Sequence, residues 1–138
     1  MVDMLALGRR ILASQPFSVL LGAELLSLSS GETEIRIPIG PQLAQQHGFV
    51  HGGVLSSAAD NALAFAGGSV LGPAVVTSEF KINYLRPANG DFLVARARVI
   101  HHGKRQAVCL CDVLASDDGA EALCATAQGT IVRLSTTA

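Results

Sequence analysis

Asp60 sits in the middle of a segment whose other residues are small or apolar, with no Lys or Arg within four positions on either side. Aspartate is a poor interior helix former, and a carboxylate on a buried helix is costly unless something partners it. Such carboxylates cluster at active sites, where they act as nucleophiles or as general bases toward water. A structural carboxylate that accepts hydrogen bonds, or one that faces solvent, satisfies the same pattern. Just upstream runs Gln45-Gln46-His47-Gly48-Phe49-Val50-His51-Gly52-Gly53-Val54. Gly52 and Gly53 fall where this loop becomes a helix. A helix N-terminus presents unpaired N–H groups and partial positive charge, and glycine lets a substrate oxygen come close to them. That is a place to stabilise an oxyanion, or simply a tight turn. His47 and His51 flank Gly48. Loop histidines are commonly solvated, a direct catalytic role fits His51 better than His47, and the pair has no third metal ligand in view.

Cations mark two later connections. Arg86 precedes Pro87, and His101-His102-Gly103-Lys104-Arg105 spans another β connection. These are ordinary solvated turn charges or phosphate contacts, with Arg offering a fork and Lys a point charge. Cys109 and Cys111 share one face of a strand, and Cys124 stands apart. With no second Cys or His pair at metal spacing, they read as small buried hydrophobes rather than half of a metal site.

The elements that must hold these groups follow from periodicity. Met4–Ser14 patterns as a short amphipathic helix, with Leu5, Ile11 and Leu12 inward, Arg9 and Arg10 outward, and Pro16 as its stop. Val19–Ser29 is an apolar run that reads as a strand. Ser29-Ser30-Gly31-Glu32 is a turn, and Thr33–Ile39 alternates with Ile35, Ile37 and Ile39 on one face. Residues 41–50 form a polar loop. From Val54 the small apolar residues fall at helical steps, giving a helix buried all round that Gly67 and Gly68 end or fray. Residues 73–85, 92–101, 106–115 and 120–134 read as four strands separated by turns. The result is α+β: a sheet wrapped around a single helix.

With 138 residues the chain fits one domain, 1–138, that can bury a core without disulfides. The net charge of −1 and the lack of any basic cluster disfavour nucleic acid and anionic membrane surfaces. Residues 61–78 carry no charge but are broken by Gly67, Gly68, Gly72 and Pro73, unlike a membrane span. The N-terminus lacks the pattern of a signal peptide, and an odd cysteine count suits a reducing compartment. A cytoplasmic location is expected. Nearly half the residues are hydrophobic and 15% charged, a lean surface that predicts burial between subunits.

These residues also resemble a family. His51-Gly52-Gly53-Val54 with Asp60 is similar to the signature of PaaI-type hotdog-fold acyl-CoA thioesterases. The likeness continues through Ile82-Asn83-Tyr84-Leu85-Arg86-Pro87, Gly90-Asp91, Gly103-Lys104-Arg105 and Ala127-Gln128-Gly129-Thr130. It implies a five- or six-stranded antiparallel sheet around one long helix, paired as a homodimer or a dimer-of-dimers tetramer with active sites at the subunit interface. It implies Asp60 as catalytic carboxylate, the Gly52 N–H as the group polarising the thioester carbonyl, and His51 holding the thioester end. Thr77 aligns with a residue that positions water, and Arg86, Lys104 and Arg105 fall where the family meets coenzyme A phosphates. Gln45 occupies a position often held by Asn, and either amide can donate to the carbonyl or hold a water. No cofactor or metal is implied; coenzyme A is part of the substrate.

Two other activities fit the same fold: a non-catalytic acyl-CoA binding or sensing module, and an enoyl-CoA hydratase, which would need its His paired with an acidic residue in a different context. Phe49, Phe65 and Phe80 serve either as core or as the lining of an acyl pocket. Aryl-acetyl, hydroxybenzoyl and medium-chain fatty acyl groups all remain open as substrates.

Overall fold

The computed structural model describes residues 3–135. Asp3 caps the first helix by accepting the Ala6 N–H at 3.1 Å, and α1 runs Met4–Ala13 with Ser14 as its C-cap. Gly8 lets α1 lie directly on the sheet, since a Cβ there would stand 2.6 Å from Leu25 Cδ2. Pro16 then opens a second helix rather than only closing the first: α2 spans Pro16–Leu21 and ends at Gly22 with φ +71°. The strand expected from Val19 therefore starts later, as β1 (Glu24–Ser29). Proline at the first helical position and a left-handed glycine at the end outweigh the apolar run between them.

The other strands are β2 (Glu32–Pro38), β3 (Val75–Tyr84), β4 (Phe92–His102), β5 (Gln106–Asp117) and β6 (Ala120–Arg133). They form one antiparallel six-stranded sheet in the order β1-β2-β4-β5-β6-β3. Alternation puts Leu93, Ala95, Ala97, Ala107, Cys109, Cys111, Val113, Ala127 and Ile131 on the inner face, all buried. Most are small, and they meet the small residues Ala58, Ala59, Ala62 and Ala66 of the long helix α3 (Gly52–Leu71). Small against small lets the helix settle into the curved sheet.

The cysteines are free and buried. Burial pushes the Cys109 thiol up to about 11, and burial with Asp112 beside it pushes Cys111 up to about 12. Burial also raises Cys124. Protonated and enclosed, these thiols are inert packing groups. Among the described residues, no helix is long and apolar enough to cross a membrane.

The helix does not end at Gly67 and Gly68 as their local propensity suggests; it continues to Leu71, and Gly72 (φ +107°) terminates it. Gly67 is needed for contact, because a Cβ there would lie 2.6 Å from Ile131 Cβ. At Gly68 the nearest atom to such a Cβ is Val75 Cγ2 at 3.4 Å, an ordinary contact. The two glycines should thus respond oppositely to alanine. Each substitution gains up to about 1 kcal/mol of helix propensity. At Gly67 overpacking costs about 1–3 kcal/mol and wins. Thermal unfolding should show Gly67→Ala melting below the wild type and Gly68→Ala melting above it; the reverse order would refute this account of the helix–sheet contact.

Candidate active site

The loop before α3 is closed by its own side chain. Gln45 Oε1 accepts from the backbone N–H of His47 at 2.6 Å and of Phe49 at 3.2 Å. Gly48, with φ +88°, makes the reversal between them. Two further bonds dock the loop, Val50 N–H to Ala88 O at 3.0 Å and His51 N–H to Leu43 O at 2.8 Å. Gln45 therefore acts first on its own loop, with its oxygen occupied and its amide nitrogen left over. His47 joins this scaffold through its backbone N–H, and the residue itself is exposed.

His51 is the N-cap of α3. Its Nδ1 accepts the Gly53 N–H at 2.8 Å, so the neutral ring carries its proton on Nε2. With Gly53 satisfied, the Gly52 N–H is the first free donor of the helix; it has no acceptor within the described chain. Tyr84, the last residue of β3, fixes this turn from the side. Its hydroxyl donates to Gly52 O at 3.0 Å and lies within hydrogen-bond distance of Ser56 Oγ, and its ring stands 3.4 Å from where a Gly52 Cβ would be. The role of Tyr84 was not evident beforehand. An aromatic residue that stays 53% exposed at a strand end is the signal that marks it.

Asp60 lies two turns further along α3, on a half-exposed stripe with Ser57, Asn61 and Ala64 rather than in a helix buried all round. It joins none of the ion pairs among the described residues. Its partner is Thr77 on β3, whose hydroxyl donates to Asp60 Oδ1 at 2.6 Å. The pair opens into a cavity of about 450 Å³ that Phe17 of α2 and Val76 of β3 also line. One carboxylate oxygen is thereby oriented by Thr77, and the other is available to a substrate or water.

Asp60 and Thr77 are brought together, as are His51, Gly52 and Gln45, but the two groups stand apart. Eight residues of α3 separate Gly52 from Asp60, about 12 Å along the axis. One chain thus carries two separate groups, the free Gly52 N–H at the Tyr84 end of β3 and the Asp60 carboxylate at the Thr77 end. The cations divide likewise. Arg86 follows the end of β3, while Lys104 and Arg105 lie beside its start: Arg105 O accepts from Arg133 N–H, and Arg133 pairs with Val75. One chain does not gather the three expected phosphate contacts. Among the described residues, no group of three His, Cys, Asp or Glu side chains is placed to hold a metal ion.

β3 is an edge strand whose only sheet neighbour is β6, and its register shifts between Thr77 and Glu79. Val76, Tyr84 and Leu85 around it remain 45–53% exposed. Ser78, Glu79, Lys81 and Asn83 are exposed between them; an edge left without a partner strand on one side is a template for another strand.

Residues 47–122, which include His51, Gly52, Asp60 and Thr77 but not Gln45, match the family model described as Thioesterase superfamily. The chain is 39% identical to the acyl-coenzyme A thioesterase PaaI of Escherichia coli over 64% of its own length, and this match spans 63% of that protein. A solved thioesterase family protein from Silicibacter pomeroyi superposes with a TM-score of 0.90 at 35% identity, covering 96% of this chain and 98% of that one. The solved E. coli PaaI protein, from the phenylacetic acid degradation operon, gives a TM-score of 0.79 at 27% identity, covering 95% and 96%.

Proposed function

Because the chain belongs to the thioesterase superfamily, among its PaaI-like hotdog members, we propose that it hydrolyses acyl-CoA thioesters to a free acid and coenzyme A in a site shared by two copies of the chain. The observation that carries this reading is the placement of Asp60 against Thr77 at one end of β3 and of Gly52 against Tyr84 at the other. Pairing β3 with its copy in antiparallel fashion, about a two-fold near its middle, sets the carboxylate end of one chain beside the oxyanion end of the next. The same pairing carries Arg86 of one chain toward Lys104 and Arg105 of the other, where together they meet the coenzyme A phosphates. The homodimer is the unit that completes the site; a tetramer would be a pair of such dimers.

In the reaction the Gly52 N–H and the helix N-terminus receive the thioester carbonyl oxygen and stabilise its negative charge as the carbonyl carbon is attacked. His51 keeps that turn in shape by occupying Gly53, and Gln45 does the same for the loop. Asp60, held by Thr77, either attacks the carbon to give a mixed anhydride that water then opens, or takes the proton of the water that attacks. Either route breaks the carbon–sulfur bond and releases coenzyme A thiol. No metal or redox step enters. A reducing cytoplasm suits both the thiol product and the three free cysteines.

The direct test is coenzyme A release from a panel of acyl-CoAs, followed with a thiol-reactive dye. The buried, protonated cysteines of the protein contribute little background. Turnover on any member of the panel supports the reading. Saturable binding with no turnover on any of them would replace it with a binding module, and hydration of an enoyl-CoA would replace it with a hydratase.

A further inference from the structure

A second cavity, of about 360 Å³, lies behind α3, and its nature narrows the substrate if the thioesterase reading above holds. Met4, Leu7 and Ile11 of α1 form one wall; Leu28, Phe65 and Val75 form the others. No ionisable side chain lines it. The one hydroxyl in its lining, Ser69, is already engaged, donating to Ala66 O and accepting from the Gly31 N–H. Gln15, Asn61 and Ala64 line both this cavity and the Asp60 cavity, so the two adjoin, and their shared boundary is the neck. The neck is a polar collar: Gln15 Oε1 accepts from Ser18 Oγ at 2.6 Å and from Asn61 Nδ2 at 3.3 Å. Asn61 directly follows Asp60, so the neck opens beside the carboxylate.

We propose that this cavity receives the acyl group, and that the preferred acyl group is a straight aliphatic chain rather than a single aromatic ring. Adjacency to Asp60 gives the direction: a thioester whose carbonyl lies at Asp60 sends its acyl tail across the shared boundary, past the Asn61 collar. Size favours a chain, because a cavity of about 150 Å³ already holds benzene. Length agrees, because the lining runs along α3 from Asn61 through Phe65 and Gly68 to Gly72, about 16 Å along the helix axis. Chemistry excludes a polar far end, which would lose its water and find no partner against Met4, Leu7 and Phe65. The neck stays passable because residue 64 is an alanine.

The test compares acetyl-, decanoyl- and phenylacetyl-CoA as substrates of the wild type, Ala64→Phe and Leu7→Phe, with calorimetric binding of decanoic acid alongside. Ala64→Phe blocks the neck; Leu7→Phe fills the cavity from α1, which carries none of the reacting groups. The wild type should favour decanoyl-CoA over both other substrates by about tenfold or more in kcat/KM. Both variants should lose about tenfold on decanoyl-CoA and bind decanoic acid more weakly, and Leu7→Phe should keep its acetyl-CoA rate within about threefold. A wild type that prefers phenylacetyl-CoA, or variants that leave decanoyl-CoA hydrolysis and decanoic acid binding unchanged, would overturn the assignment while hydrolysis itself stands. Decanoic acid binding that the variants weaken, in a protein that turns over no acyl-CoA, would instead keep the cavity and remove the hydrolytic reading.

Discussion

Replacing Asp60 with Asn is expected to lower kcat/KM for acyl-CoA hydrolysis by about 10²–10⁴-fold while leaving the fold intact. The loss follows from chemistry, since an amide is neither a useful nucleophile toward a thioester nor a base toward water. Intact folding follows from geometry. Asn presents the same oxygen to the Thr77 hydroxyl, so the 2.6 Å hydrogen bond to residue 60 has an acceptor in both proteins. No ion pair is broken, because Asp60 has none among the described residues. Circular dichroism and thermal unfolding should therefore match the wild type while coenzyme A release collapses. A well-folded Asp60→Asn protein that keeps wild-type turnover would show that the carboxylate is structural.

A second expected result concerns two inactive proteins that become active when mixed. Gly52→Pro deletes the proposed oxyanion donor and little else. Residue 52 is the first helical position, where proline is tolerated, and His51 before it already has φ −58° and ψ 135°, the extended conformation a following proline requires. Removing one such donor costs about 10²–10³-fold. If each site takes Asp60 from one chain and Gly52 from the other, a mixed dimer of Asp60→Asn and Gly52→Pro chains has one doubly damaged site and one intact site. Random pairing makes half the dimers mixed, so refolding an equimolar mixture should restore about a quarter of wild-type activity. Differently tagged chains confirm that exchange has occurred. Exchanged dimers no more active than their parents would place the whole site within one chain.

Much of this architecture was legible along the chain, for identifiable reasons. The β2 strand announced itself because Ile35 and Ile37 alternate with Glu34 and Arg36, and both isoleucines are buried. Asp60 drew notice because a charge among Ala58, Ala59 and Ala62 has no local reason to be there. Its contact with Thr77 was a different matter. That bond depends on how β3 lies against α3, which no local pattern encodes; the family likeness offered Thr77 as a residue that positions water, not as a partner of Asp60. Gly67 was misread for the same reason, since its small size answers to Ile131 across the core rather than to its own helix. In α2 the signals were present, in Pro16 and Gly22, but the apolar run of Val19 to Leu21 masked them. Arg86 and Lys104-Arg105 stood at two separate connections in the sequence and were grouped only by the family likeness, as phosphate contacts. Strand direction puts them at opposite ends, and only a partner chain would reunite them.

The place of β3 in the sheet also dictates when the site comes into being. β3 carries both Thr77 and Tyr84, and among the described residues its sheet partner is β6, the last of the sheet's strands to be made. Val75 must wait for Arg133 and Tyr84 for Ala125. Closing pairs so distant in sequence is slow compared with forming the β4–β5 hairpin beside them. During synthesis α3 and Asp60 emerge early, while the strand that orients them stays unpaired until β6 has been made. A nascent polypeptide halted before β6 would hold every proposed reacting residue and no working site.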